Sequence, residues 1–168
     1  MRKANMLTTS VLDYVGRTVD VLAFDDAKLG GEALLTQALV KPGQSGALIT
    51  GISKLAQRVL IELLTEKGSL YYDPARGTSL ITAFRAGLIQ TTQDLQSTFA
   101  LAELDVRLNL GLEETTEDPD DERYASMELL SVSISQDTVS LSIKVNSLAG
   151  DSRVVIYPLR STPTPSLS

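Results

Sequence analysis

Five carboxylates in this 168-residue chain, Glu62, Glu66, Asp94, Glu103 and Asp105, could by residue type alone run a hydrolytic reaction. Glycoside hydrolysis needs only two carboxyl groups about 5 to 9 Å apart, one acting as acid and the other as base or nucleophile. Most other chemistries are closed to the chain. It has no Cys and no His, which excludes thiol nucleophiles, imidazole bases and the usual zinc and haem ligand sets together. Ser53 and Lys54 are adjacent, but neighbours on a helix point about 100° apart and do not face each other. No Lys follows a Ser by three positions, so the Ser-x-x-Lys arrangement also fails. Even the carboxylates read better as solvated groups, because Glu62 and Glu66 fall on the polar side of an amphipathic stretch and there is no Trp to line a sugar cleft.

The net charge of −6 is uneven. Glu113, Glu114, Glu117, Asp118, Asp120, Asp121 and Glu122 lie within one stretch, and without them the chain is nearly neutral. A neutral body lacks the basic stripe that nucleic-acid binding requires. The acidic stretch has neither the spacing nor the central Gly of a calcium loop, so it reads as a solvated loop or a docking surface for a basic partner. Thr8, Thr9, Ser10 and Asp13 interrupt the place of an apolar signal segment, and no run approaches the ~18 apolar residues of a membrane span. The expectation is a chain made in a reducing cytoplasm, with no nucleic acid, membrane, cofactor or metal partner.

These residues are positioned by an alternation of elements. Residues 1–17 hold a short amphipathic piece with Leu7, Val11, Leu12 and Val15. Thr18 to Phe24 alternates as a buried strand, and Glu32 to Val40, which fits either period, reads as a second strand ended by Lys41-Pro42-Gly43. The central stretch predicts a helix, with Leu48, Ile52, Leu55, Ala56, Val59, Leu60, Leu63 and Leu64 on one broad face. Arg58 and Glu62 are spaced as an i,i+4 pair, and Lys67 and Gly68 as a cationic last turn and left-handed cap.

In Tyr71-Tyr72-Asp73-Pro74-Ala75-Arg76-Gly77 the proline predicts a break, Gly77 a positive φ, and the tyrosines a seal between helices. A second helix is expected from Thr78 or Ser79 to about Leu101. From Asp105 the apolar period falls to 2, with Val106, Leu108, Leu110 and Leu112 reading as a strand. Two later strands carry Leu130, Val132 and Ile134, then Val139, Leu141, Ile143 and Val145, with serines between; Arg153 to Leu159 forms a last one. The fold class is α+β: two core helices on one face of a C-terminal antiparallel sheet, with N-terminal strands. Residues 1–160 form a single domain and 161–168 a Pro/Ser-rich tail.

The run Thr50-Gly51-Ile52-Ser53-Lys54-Leu55-Ala56-Gln57-Arg58, with Leu64-Thr65-Glu66-Lys67-Gly68-Ser69, Tyr72-Asp73-Pro74 and Gly77-Thr78, resembles the small, lysozyme-like baseplate wedge proteins of contractile-tailed phages and related injection machines. The resemblance spans roughly residues 18–160. It marks Gly51, Lys54, Leu55, Gln57, Arg58, Gly68, Asp73, Pro74 and Gly77 as motif positions. The family's Glu-Pro-Arg signature commonly begins the sheet; here Glu103 and Arg107 occupy that place, without the proline. The resemblance implies a non-enzymatic virion protein of the tail baseplate, one subunit of a six-fold assembly. Its helices would pack on larger wedge subunits, and its sheet would meet the first tail sheath ring by strand addition, with Val139, Leu141, Ile143, Val154 and Ile156 as sheath-facing positions. A tail-associated peptidoglycan hydrolase and an assembly chaperone or adaptor are the alternatives.

Overall fold

The computed structural model describes residues 17–21, 24–26, 35–37, 48–135 and 138–160. The amphipathic piece before Arg17 and the tail at 161–168 lie outside the described residues. Two short antiparallel pairs come first: β1 (Asp20–Val21) with β4 (Leu48–Ile49), and β2 (Phe24–Asp26) with β3 (Leu35–Gln37). α1 (Gly51–Leu64), α2 (Leu80–Arg85) and α3 (Thr92–Glu113) follow, then a meander of β5 (Tyr124–Ser135), β6 (Thr138–Ser147) and β7 (Ser152–Arg160). The fold is α+β, with helices against one face of a three-stranded antiparallel sheet.

α1 is held by a wide apolar face: Leu55, Ala56, Val59, Leu60 and Leu63 are buried against Phe99, Val106 and Leu110 of α3 and Leu141, Ile143 and Val145 of β6. Each buried leucine, valine, isoleucine or phenylalanine contributes about 1.5–3 kcal/mol relative to exposure. α1 ends at Leu64, earlier than the Lys67-Gly68 cap implied, because the chain turns back: Thr78 N–H donates to Thr65 O at 2.8 Å and Lys67 N–H to Thr78 O at 3.0 Å. Gly68 has a positive φ of 85°, but within that turn.

The second helix is broken where one was expected. Gly87, at φ 68°, stops α2, and a capping box at Thr91 and Asp94 starts α3: Thr91 Oγ1 accepts from Asp94 N–H at 3.1 Å, and Thr91 N–H donates to the Asp94 carboxylate at 2.9 Å. Thr-x-x-Asp is a readable start signal that the longer apolar period obscured.

α3 also runs through the segment that reads as a strand from Asp105. Residues two apart on a helix are about 200° apart, so alternating apolar residues fall on opposite faces. Val106 and Leu110 join Leu95, Phe99 and Ala102 in the core, while Leu104, Leu108 and Leu112 point outward. A helix with two apolar faces mimics a period of 2.

In the sheet, Met127, Leu129 and Val132 of β5 oppose Val145, Ile143 and Leu141. A bulge between Leu129 and Ser131 takes up one residue, so Leu130, expected inward, is half exposed. Val155 and Tyr157 continue the inner face on β7. Ser131, Ser142 and Ile156 form one row of the outer face, and Glu128, Lys144 and Val154 another.

Gly77 has the positive φ expected of it, 89°. A Cβ there would come within 2.9 Å of the Thr65 carbonyl carbon and closer still to its oxygen. Gly68 has a similar φ but open space around it. Gly77→Ala should therefore cost more than about 2 kcal/mol and Gly68→Ala about 1 kcal/mol. Urea unfolding of both variants checks this, and equal losses would contradict the close approach.

Candidate functional site

The polar residues of the central stretch converge on two buried carboxylates, one at each end of α1. Glu122, 2% exposed, meets the N-terminal end. It accepts from Thr18 Oγ1 at 2.6 Å, Thr50 Oγ1 at 2.6 Å, Gly51 N–H at 3.1 Å and Lys54 Nζ at 2.7 Å. The carboxylate stands where a helix N-terminus favours negative charge, and Thr50 spends its hydroxyl on Glu122 instead of capping α1. Burial alone pushes the Glu122 carboxyl up, but the donors from Lys54, Thr18, Thr50 and Gly51 outweigh it and bring it down to about 2.

Glu62, 0% exposed, lies in the C-terminal half of α1. Its Oε1 accepts from Gly77 N–H at 2.8 Å and Asn109 Nδ2 at 2.6 Å, and its Oε2 from Arg76 Nε at 2.8 Å. Arg76 also reaches Glu113 at 2.6 Å. The solvated Glu62 of the sequence reading is thus corrected: the polar side of α1 is covered by the turn after it and by α3. The expected Arg58–Glu62 pair gives way to longer-range partners, since Arg58 lies 3.3 Å from Glu113 and 3.5 Å from Glu114.

The acidic stretch is mostly internal wiring. Glu113 and Glu114 hold Arg58, and Glu114 also accepts from Tyr124 N–H at 3.0 Å. Asp121 pairs with Arg17, Asp120 with Arg123 at 3.1 Å, and Asp118 accepts from Thr115 N–H at 2.7 Å. Glu117 is exposed. Among the described residues, no group of three or more His, Cys, Asp or Glu is placed to hold a metal ion.

The motif positions separate into two groups. Gly51, Lys54 and Arg58 meet the 113–122 segment, Gln57 donates to Asp20 at 2.8 Å, and Leu55 is core. Gly77 belongs to the Glu62 joint, whereas Asp73 and Pro74 are exposed in the turn. Tyr71 and Tyr72 do not seal the helices: they are 101% and 81% exposed. The segment passes over the end of α1 through backbone bonds, which leaves both rings in solvent.

Glu103 and Arg107 are not at the start of the sheet. They pair with each other along α3 at 2.6 Å, and Glu103 takes the Tyr124 hydroxyl at 3.1 Å. Burial, then the Glu103 charge, holds that phenol above its ordinary range. The sheet begins at Tyr124, well after Glu103 and Arg107, because α3 continues to Glu113.

Of the positions expected to face a sheath, Leu141 and Ile143 lie in the core at 0% and 1% exposure. They and Val139 belong to β6, paired on both sides, so its backbone is closed to an added strand. Val154 is exposed and Ile156 half-buried on β7, an outer strand of the sheet.

Chemically, both buried carboxylates accept at each of their oxygens and act as fixed joints. Glu62→Gln turns an acceptor into a donor among donors and should cost about 3 kcal/mol or more. Glu66→Gln, at a half-buried carboxylate paired with exposed Arg85, should cost less than about 1 kcal/mol. Denaturant unfolding of the two variants decides, and similar losses would refute the joint.

Because the folded-state pKa of Glu122 lies below its ordinary value of 4.5, its stabilisation is complete above that pH and is lost as pH falls toward 2. The loss is on the order of 3 kcal/mol. Glu114, raised by burial against its Tyr124 and Arg58 partners, works in the opposite direction. The acid slope of stability should flatten in Glu122→Gln; an unchanged slope would contradict the assignment. No protein-family model matches this chain, and no protein of curated function does.

Proposed function

We propose that this chain is a structural subunit of a contractile-tail baseplate wedge, non-enzymatic, joining larger wedge subunits to the first sheath ring in a six-fold virion assembly. The observation that carries the reading is the use made of the central motif. Gly51, Lys54, Gln57, Arg58 and Gly77 are all engaged in internal joints, and the buried carboxylates of α1 and the 113–122 segment are filled with donors. A motif built this way holds a scaffold in shape and leaves the work to its surfaces.

Strand addition needs an unpaired sheet edge. Among the described residues β5 and β7 each have one side unpaired in the sheet. β7 adds Val154 and Ile156 to an outer face otherwise rich in serine, which favours it as the sheath-facing strand. Contact with the sheath ring is then made through β7 backbone and those two side chains.

The hydrolase alternative makes a different demand on Glu62 and Glu103. The scaffold reading expects no muramidase turnover from purified protein. Turnover that Glu62→Gln or Glu103→Gln abolishes, in variants shown to be folded, would overturn it. Mass spectrometry of finished tail particles should find the chain present and co-purifying with sheath protein; its absence there would instead favour an assembly chaperone.

A further inference from the structure

α3 carries a second apolar face that the chain itself leaves uncovered among the described residues. Leu101, Leu104, Leu108 and Leu112 are 60%, 52%, 66% and 87% exposed. Their spacing of three, four and four residues puts them in one row, diametrically opposite Leu95, Phe99, Ala102, Val106 and Leu110 in the core. Exposed Ala100 and Gly111 flank the row, so another backbone can approach closely. The row is about 16 Å long, or three helical turns. A contiguous exposed apolar row of this kind marks an interaction surface.

The charges around the row identify what fits it. The cations nearest to it are already engaged, Arg107 with Glu103 at 2.6 Å and Lys67 with Asp105 at 2.9 Å. The two ends are acidic: Asp94, which caps the first turn of α3, and exposed Glu117 with Asp118, which accepts from Thr115 N–H, just beyond its last turn. The carbonyl end of the helix adds negative potential beside Leu112. An antiparallel second copy would set Asp94 of each chain against Glu117 and Asp118 of the other, between chains of net charge −6. Like charges so placed disfavour self-association.

We infer that the outer face of α3 is a docking seam for an amphipathic helix of a different protein, with apolar anchors at heptad spacing and a lysine- or arginine-rich flank. The inference deepens the scaffold reading and rests on it, by naming the surface and the chemistry of the helical partner. Leu104 and Leu108 are the central anchors, and the acidic ends fix direction and discriminate among helices.

The test uses the full chain and two synthetic helical peptides of about three heptads, both with leucine at the a and d positions and one with lysine, the other with glutamate, at e and g. The lysine peptide should bind at least about tenfold more tightly than the glutamate peptide. The double variant Leu104→Ser/Leu108→Ser should weaken that binding by at least about tenfold, and Leu112→Ser should weaken it in the same direction, with thermal unfolding unchanged. Equal affinity for both peptides, or binding indifferent to these substitutions, would overturn the seam. Dimerisation on sedimentation that the double variant abolishes would give the face to a second copy. Hydrogen-exchange protection of residues 1–16 that the double variant abolishes would give it to the chain's own N-terminal segment. The peptide result is independent of particle composition, so failure of the seam is distinguishable from failure of the wedge reading.

Discussion

A fully enclosed carboxylate is tolerable only if both of its oxygens find donors, and Glu62 imposes that condition on the middle of the molecule. Its donors come from separate segments: Arg76 and Gly77 from the turn after α1, and Asn109 from α3. To deliver the Gly77 N–H, the turn must fold back over the end of α1, which requires the positive φ at Gly77 and its contact with the Thr65 carbonyl. To deliver the amide, α3 must run antiparallel to α1 with Asn109 beside Glu62, the register that also sets Lys67 against Asp105 and Arg58 against Glu113. Packing alone would not choose one register among several. An unpaired charge costing several kcal/mol in every other register would.

Glu122 repeats the device at the other end of α1, and the pair explains why a chain with so local an acidic stretch tolerates it. Two turns of basic and polar residues on α1, Lys54 and Arg58, with Thr18 and Arg17 from the N-terminal side, draw the 113–122 segment inward. The partners are far apart in sequence, so this wiring closes β1, α1 and the start of β5 onto one another. The favourable interactions are concentrated on one carboxylate, with the helix N-terminus at Oε1 and Lys54 at Oε2, which is why the Glu122 carboxyl is brought down to about 2 despite burial. The fold therefore depends on α1 at both ends through charge and along its length through leucines.

What could be read in the sequence follows what is local. The α1 core face, the serine-rich outer sheet face, the α+β class and the Gly77 conformation are nearest-neighbour properties of periodicity and turn chemistry. The failures have one physical origin, that period does not say how many faces are covered. Alternating leucines after Asp105 fit a strand as well as a helix with two apolar faces, and only the Thr91-x-x-Asp94 cap could have favoured the helix. That error displaced the start of the sheet by nearly twenty residues and put Glu103 and Arg107, which pair along α3, at its expected beginning. Glu62 looked solvated because its covering donors lie 14 to 47 residues away. The β5 bulge, invisible in the pattern, turned Leu130 outward.

The same two-faced character of α3 determines how partners can approach. α1 is covered on its apolar side by the sheet and α3, and on its polar side by the turn and the acidic segment, so it offers little to another protein. Among the described residues, the surfaces left to a partner are the outer row of α3 and the outer face of the sheet with its outer strands β5 and β7, the latter passing near β3. These lie on opposite sides of the core, one pointing away from the sheet and the other away from the helices. They also differ in chemistry, leucine with acidic ends on one side and backbone edges with serine, Val154 and Ile156 on the other. A partner suited to one is poorly suited to the other, since a helix cannot extend a sheet and a strand cannot fill a leucine row. On the scaffold reading proposed above, two incompatible surfaces held apart by a charge-locked core would suit a connector, and the rigidity contributed by Glu62 and Glu122 is what would carry force between them.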